Sequence, residues 1–109
     1  MREIKFRAWD DELKVMVTPH RSLDMCEYPN LMQYTGLRDK NDVEIYEGDI
    51  LKFVNKSFLC GEIGVVKFNH GSFRIENEDF NSLFPKDRSI KKYIEVIGNI
   101  YENKELLDD

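Results

Sequence analysis

Short runs of alternating apolar and polar residues recur along this chain, and few stretches repeat at helical spacing. In Ile4–Trp9, Ile4, Phe6 and Ala8 fall on one side, the pattern of a strand with one buried face. Asp10-Asp11-Glu12 is a turn and Leu13–Val17 a returning strand, so Ile4–Val17 predicts a β-hairpin with Trp9 as an anchor at its end. Thr18–Ser22 reads as a loop. Leu23, Met25, Cys26, Leu31 and Met32 follow neither period, and Pro29 interrupts them before a short strand at Met32–Tyr34. Ile50–Val54 is a strand broken only by Lys52. Leu59–Phe68 is a long strand in which Gly61 and Gly64 predict a bulge or bend, the device by which a small sheet closes on itself. Asn69-His70-Gly71 is a hairpin turn leading to Ser72–Glu76. In the polar stretch 77–93, the cluster Phe80, Leu83 and Phe84 predicts a helical turn over Asp79–Phe84. Ile94–Tyr101 is the closing strand, and Asn103 caps a short helix at Lys104–Leu107.

The stretch Gln33–Leu51, QYTGLRDKNDVEIYEGDIL, organises the rest. Arg38–Asp42 supplies residues that tolerate tight turns and left-handed backbone. Val43, Ile45 and Tyr46 resume the alternation, and Glu47-Gly48-Asp49 is a second turn that delivers the strand Ile50–Val54. An acidic-Gly-Asp turn feeding a β-rich run is usual before the first long strand of SH3-like barrels, an analogy of fold alone. The expected class is therefore mainly β: a small, bent, SH3-like or barrel-like antiparallel sheet with an N-terminal hairpin and short helical turns. Phe6, Ile50, Phe53, Val65, Phe68, Phe73, Ile75, Val96 and Ile100 are its expected core. Tyr34, Gly36, Asp39, Asn41, Tyr46, Gly48 and Asp49 form its structural signature, with Gly48 where a Cβ would strain the turn and Asp49 bonding backbone amides.

Length and charge narrow the classes. The 109 residues carry 41% hydrophobic and 12% aromatic side chains, enough for one modest core, and a single domain over 1–109 is expected. No apolar run approaches the roughly 20 residues of a membrane span, and no apolar segment follows the charged start, so no signal peptide and a cytoplasmic location are expected. Cys26 and Cys60 read as free thiols. With His20 and His70 far apart in sequence, no metal site and no cofactor are expected.

Candidate chemistry is sparse. Asp10, Asp11, Glu47, Asp49, Glu76, Glu78 and Asp79 are the candidate acids of a metal-dependent nuclease, but they read as solvated turns without a Lys or His at definable spacing. Ser57, Ser72 and Cys60 lack a nucleophile motif. Gly61-Glu62-Ile63-Gly64 lacks the Gly-Lys-Ser/Thr ending of a phosphate loop. No catalytic residue is assigned and the chain is expected not to be an enzyme. For nucleic acid, Lys52, Lys56, Lys67 and Arg74 form a candidate basic stripe with Phe58 and Phe73 as stacking surfaces. The net charge of -5 and the lack of a dense Lys/Arg run oppose it.

Three blocks carry a resemblance. The opening MREIKFRAWD, the central QYTGLRDKNDVEIYEGDIL and the closing YIEVIGNIYENKELL resemble, in order, the blocks of the YopX family of small proteins from phages and prophages of Gram-positive bacteria. The family commonly has Asn-Gly in the central turn where this chain has Asn41-Asp42, so the turn here is expected to be longer or of another type. The resemblance carries over no catalytic residue and implies self-association. A non-enzymatic module that binds a host or phage protein, or a second copy of itself, is the expected function. The alternative is a nucleic-acid-binding accessory protein of phage DNA metabolism or regulation. Leu23, Met25, Leu31 and Met32, then Phe80, Leu83 and Phe84, and finally Leu106 and Leu107 are the apolar clusters from which a homo-oligomer contact would come.

Overall fold

The computed structural model describes residues 5–18, 30–54, 61–69, 71–77, 81–83 and 92–107, with residues 81–83 described by their backbone alone. Those residues form two antiparallel sheets, one of them curled into a half-barrel, with little helix. The first contains β1 (Phe6–Asp10), β2 (Val15–Val17), β3 (Leu31–Arg38) and β4 (Glu44–Tyr46), in the order β2-β1-β3-β4. The second contains β5 (Asp49–Phe53), β6 (Ile63–Asn69), β7 (Ser72–Glu76), β8 (Asn81–Leu83) and β9 (Ile94–Asn99), in the order β8-β7-β6-β5-β9. The mainly β, barrel-like expectation holds, and the strands expected to build the bent sheet all lie in the second sheet.

Local chemistry explains each connection. The β1–β2 hairpin turns without Asn-Gly: Asp10 Oδ1 accepts the amides of Glu12 (3.0 Å) and Leu13 (3.1 Å), and Lys14 takes a left-handed φ of 57°. Strand β3 is longer than the expected Met32–Tyr34 and is bulged between its pairings Tyr34↔Tyr46 and Arg38↔Glu44. Gly36 (φ 90°) lies in that bulge, and the Thr35 hydroxyl repairs it, donating to Ile45 O at 2.8 Å and accepting the Leu37 amide at 3.2 Å. In the second sheet Gly64 lets β7 approach β6. A Cβ there would come 2.6 Å from Ile75 Cγ2 and 3.2 Å from Glu76 O.

Ile45, Leu51, Phe53, Val66, Phe73, Ile75 and Ile94 form the core cluster, with Leu37 and Val96 packed against it. Of the expected core, Ile50, Phe53, Val65, Phe73 and Ile75 are buried, and Phe6, Val96 and Ile100 are half-buried. Phe68 is a correction: it is 44% exposed. It sits one residue from the end of β6 and packs edge-on against Phe73, centroids 4.9 Å apart. A second correction concerns the polar stretch, where Asn81–Leu83 is a strand paired with β7 (Arg74↔Leu83, Glu76↔Asn81) rather than part of a helical turn. Ladder bonds to β7 outweigh the weak helical preference of a short segment. The expectations for Leu23, Met25, Cys26, Lys56, Phe58, Cys60, His20, His70, Phe80 and Phe84 lie outside the described residues.

Candidate functional site

The signature folds around two buried carboxylates. Asp39 follows β3 and has no solvent exposure. Its Oδ1 accepts the amides of Asn41 (2.8 Å) and Val43 (2.9 Å), and its Oδ2 accepts the Val96 amide on β9 (2.8 Å). The Lys40 amide adds a bond to Ile94 O at 3.1 Å. One side chain thus shapes the β3–β4 turn and fastens it to the outer edge of β9, joining the two sheets. The turn needs one left-handed residue, and Asp42 supplies it with φ 67°. Asn41 reaches β9 from the same turn, its Nδ2 donating to Glu95 Oε2 at 3.3 Å.

Asp49 opens β5 and is also buried. Its Oδ2 accepts the Tyr46 amide at 2.7 Å, closing the Glu47-Gly48 turn, and its Oδ1 accepts Arg7 Nη2 at 2.6 Å. Burial pushes the Asp49 pKa up, against the opposing pull of the Arg7 charge and the Tyr46 amide. Gly48 has φ 88° and bonds on both sides: its amide donates to Val66 O (2.8 Å), and its carbonyl accepts the Ile100 amide (3.0 Å). Asn99 caps the turn after β9, its Oδ1 accepting the amides of Tyr101 (3.0 Å) and Glu102 (2.9 Å). Asn103, expected to cap the final turn, instead points back: its Oδ1 accepts the Asn99 amide at 3.2 Å. The 3-10 turn Lys104–Leu107 follows.

A row of cations, rings and carboxylates crosses the first sheet. Lys5, Arg7 and Trp9 alternate along β1 and its start, so they share one face. Lys5 pairs with Glu44 and lies over the Tyr34 ring, 5.4 Å from its centroid. Arg7 pairs with Asp49 and lies over Tyr46 at 4.7 Å. Trp9 stacks on Tyr101, centroids 5.5 Å apart and planes 12° from parallel. The Lys5 hydrogen bond is the main cause holding the Glu44 pKa below its ordinary value. Burial, followed by the Glu44 charge, raises that of Tyr46. The sequence reading missed this row, because it placed only Ile4, Phe6 and Ala8 on the buried side. Ala8 and Trp9 are both buried, so both faces of β1 are covered. The signal available was Lys5-x-Arg7-x-Trp9 itself.

The other candidates disperse. Lys67 and Arg74 are cross-strand partners, and the alternation of the paired strands puts Lys52 on the same face. Lys67 pairs with Glu76 at 3.5 Å, and Lys52 lies opposite Glu95. Phe73 is in the core on the opposite face, so it cannot be a stacking surface beside them. Asp11 pairs with Lys14 at 2.9 Å, and Glu47 Oε1 accepts the Gln33 amide at 3.4 Å. Among the described residues no group of three His, Cys, Asp or Glu side chains is placed to hold a metal ion. No described helix is long and apolar enough to cross a membrane.

The family of YopX proteins matches residues 18–108 by its sequence model. The chain belongs to the YopX family. The match takes in the central and closing blocks of the resemblance, and the hairpin β1–β2 precedes it. No curated protein matches the chain. Among solved structures it is similar to the crystal structure of protein EF1440 from Enterococcus faecalis, at 28% identity and a TM-score of 0.71, over 99% of this chain and 100% of that one. That similarity does include the hairpin.

Proposed function

We propose that this YopX-family chain is a non-enzymatic interaction module of phage or prophage origin, acting in the cytoplasm of its bacterial host by docking on a protein or on a second copy of itself. What supports the reading is the commitment of its signature carboxylates to the fold. Asp39 holds three amides and Asp49 holds an amide and Arg7, leaving neither available to a substrate. Meanwhile Leu13 (69% exposed) and Val15 stand out of the β1–β2 hairpin, apolar surface that a partner would cover. The test is capture on the full-length chain from host lysate beside a Leu13→Glu/Val15→Glu variant, with sedimentation at micromolar concentration. A partner or larger species lost in the variant is the expected result. A 13.0 kDa species with no specific capture would overturn the reading.

The common face of Lys52, Lys67 and Arg74 favours a second reading, nucleic-acid binding. Glu76 and Glu95 on the same face oppose it. A salt-dependent gel shift lost in Lys52→Ala/Lys67→Ala would establish the second reading.

A further inference from the structure

The docking of β1 on the rest of the chain has the form of peptide recognition by strand addition. Main-chain pairing fixes the register: Phe6↔Gln33, Arg7↔Met32 and Ala8↔Leu31, extended by Tyr34 N to Lys5 O at 2.9 Å. Alternate side chains then meet separate receptors. Lys5 meets Glu44 and Tyr34, Arg7 meets Asp49 and Tyr46, and Trp9 meets Tyr101. Backbone bonds for affinity and alternate pockets for specificity are the defining features of that mode. Every receptor residue lies within the family match, and the strand they receive lies before it.

Ala8 pairs with Val17 on one side and Leu31 on the other, so these two lie about 10 Å apart, two strand spacings. Residues 18–30 join them, with a contour length on the order of 45 Å. That length exceeds the gap, so the covalent connection alone does not hold the hairpin at its site. A tether of this length holds its strand at an effective concentration on the order of millimolar, which disfavours replacement by the identical strand of another copy at micromolar levels. The occupant that displaces it must bind better in the same chemistry.

We propose that the β3 edge, with Glu44, Asp49, Tyr34, Tyr46 and Tyr101, is a strand-addition site closed in cis by Lys5–Trp9, and that it takes an extended segment of a partner protein carrying two alternate basic residues followed by an aromatic one. The two receptor carboxylates and the net charge of -5 complement such a segment. The inference rests on the interaction-module reading and deepens it.

The probe is a fluorescent peptide with the sequence of residues 3–11, titrated into full-length wild type and a full-length Arg7→Ala/Trp9→Ala chain. The peptide binds the double variant saturably and wild type about tenfold more weakly or worse, because the cis strand competes. Binding is lost when the peptide's own Arg and Trp are replaced by Ala. A folded double variant that ignores the peptide overturns the inference, while the lysate capture above still decides the broader reading. Should circular dichroism show the double variant unfolded, native-state hydrogen exchange on wild type decides: Phe6–Trp9 amides exchanging ahead of Leu51 and Val66 supports a detachable strand, and exchange of all of them in one global event overturns it.

Discussion

At Gly48 the backbone sits at φ 88°, and a Cβ would come 2.9 Å from Met32 Sδ. Gly48→Ala is therefore expected to cost about 1 kcal/mol or more, read as a lower urea midpoint. Asp39→Ala should cost more, because three amides lose their acceptor and each buried unmet donor is worth about 1–3 kcal/mol. A variant within about 0.5 kcal/mol of wild type would show that water or another group takes over those amides. Asp49 gives a pH dependence of unusual sign. Its folded pKa lies above 3.8, so the folded state takes up its proton first, and this contribution to stability is lost as pH rises through the folded value. Glu44 acts oppositely, its contribution being present above 4.5 and lost as pH falls through the lowered folded value. Unfolding free energy from pH 7 towards 4 should thus fall more steeply in Asp49→Asn than in wild type; an equal slope would refute the raised value. The turn role of Asp49 was legible from Glu-Gly-Asp alone. Its partner Arg7 was not, because 42 positions separate them and charge order does not reveal register.

Among the elements, the strands that alternate cleanly were legible and those that bend were not. Strands β5, β7 and β9 fall where the pattern put them, within a residue or two. Strand β3 was underestimated because Thr35-Gly36 interrupts its alternation, and the interruption is a bulge inside the strand rather than its end. The bulge hangs on one hydroxyl. Thr35→Val keeps the shape but removes both bonds, stranding Ile45 O and the Leu37 amide, so a loss of about 1–3 kcal/mol is expected by urea denaturation. No loss would mean the bulge is held by pairing alone. Strand β8 was read as helical because three residues carry no usable period, and only its pairing with β7 identifies it. The central turn shows the converse: a longer turn or another type was expected at Asn41-Asp42, and Asp42 adopts the left-handed conformation itself.

For the whole molecule, the question is whether the two sheets unfold together. Asp39 and Lys40 tie the β3–β4 turn to β9, Gly48 bonds to both Val66 and Ile100, and Arg7–Asp49 joins β1 to β5. Trp9, the single tryptophan, reports on the first sheet through its stack on Tyr101. Far-ultraviolet circular dichroism reports on both sheets. In wild type the two transitions should coincide in urea, because detaching a short hairpin exposes little surface and responds weakly to denaturant, so global unfolding overtakes it. Arg7→Ala alters that balance. It removes the ion pair and the ring contact that hold β1, while Asp39 still ties the sheets together. The Trp9 transition should then precede the dichroism change, with the later transition retaining most of its amplitude. Coincident curves in Arg7→Ala would mean that β1 is bound into the cooperative unit by its pairing with β3, and that Arg7 contributes to global stability rather than to holding a separable strand.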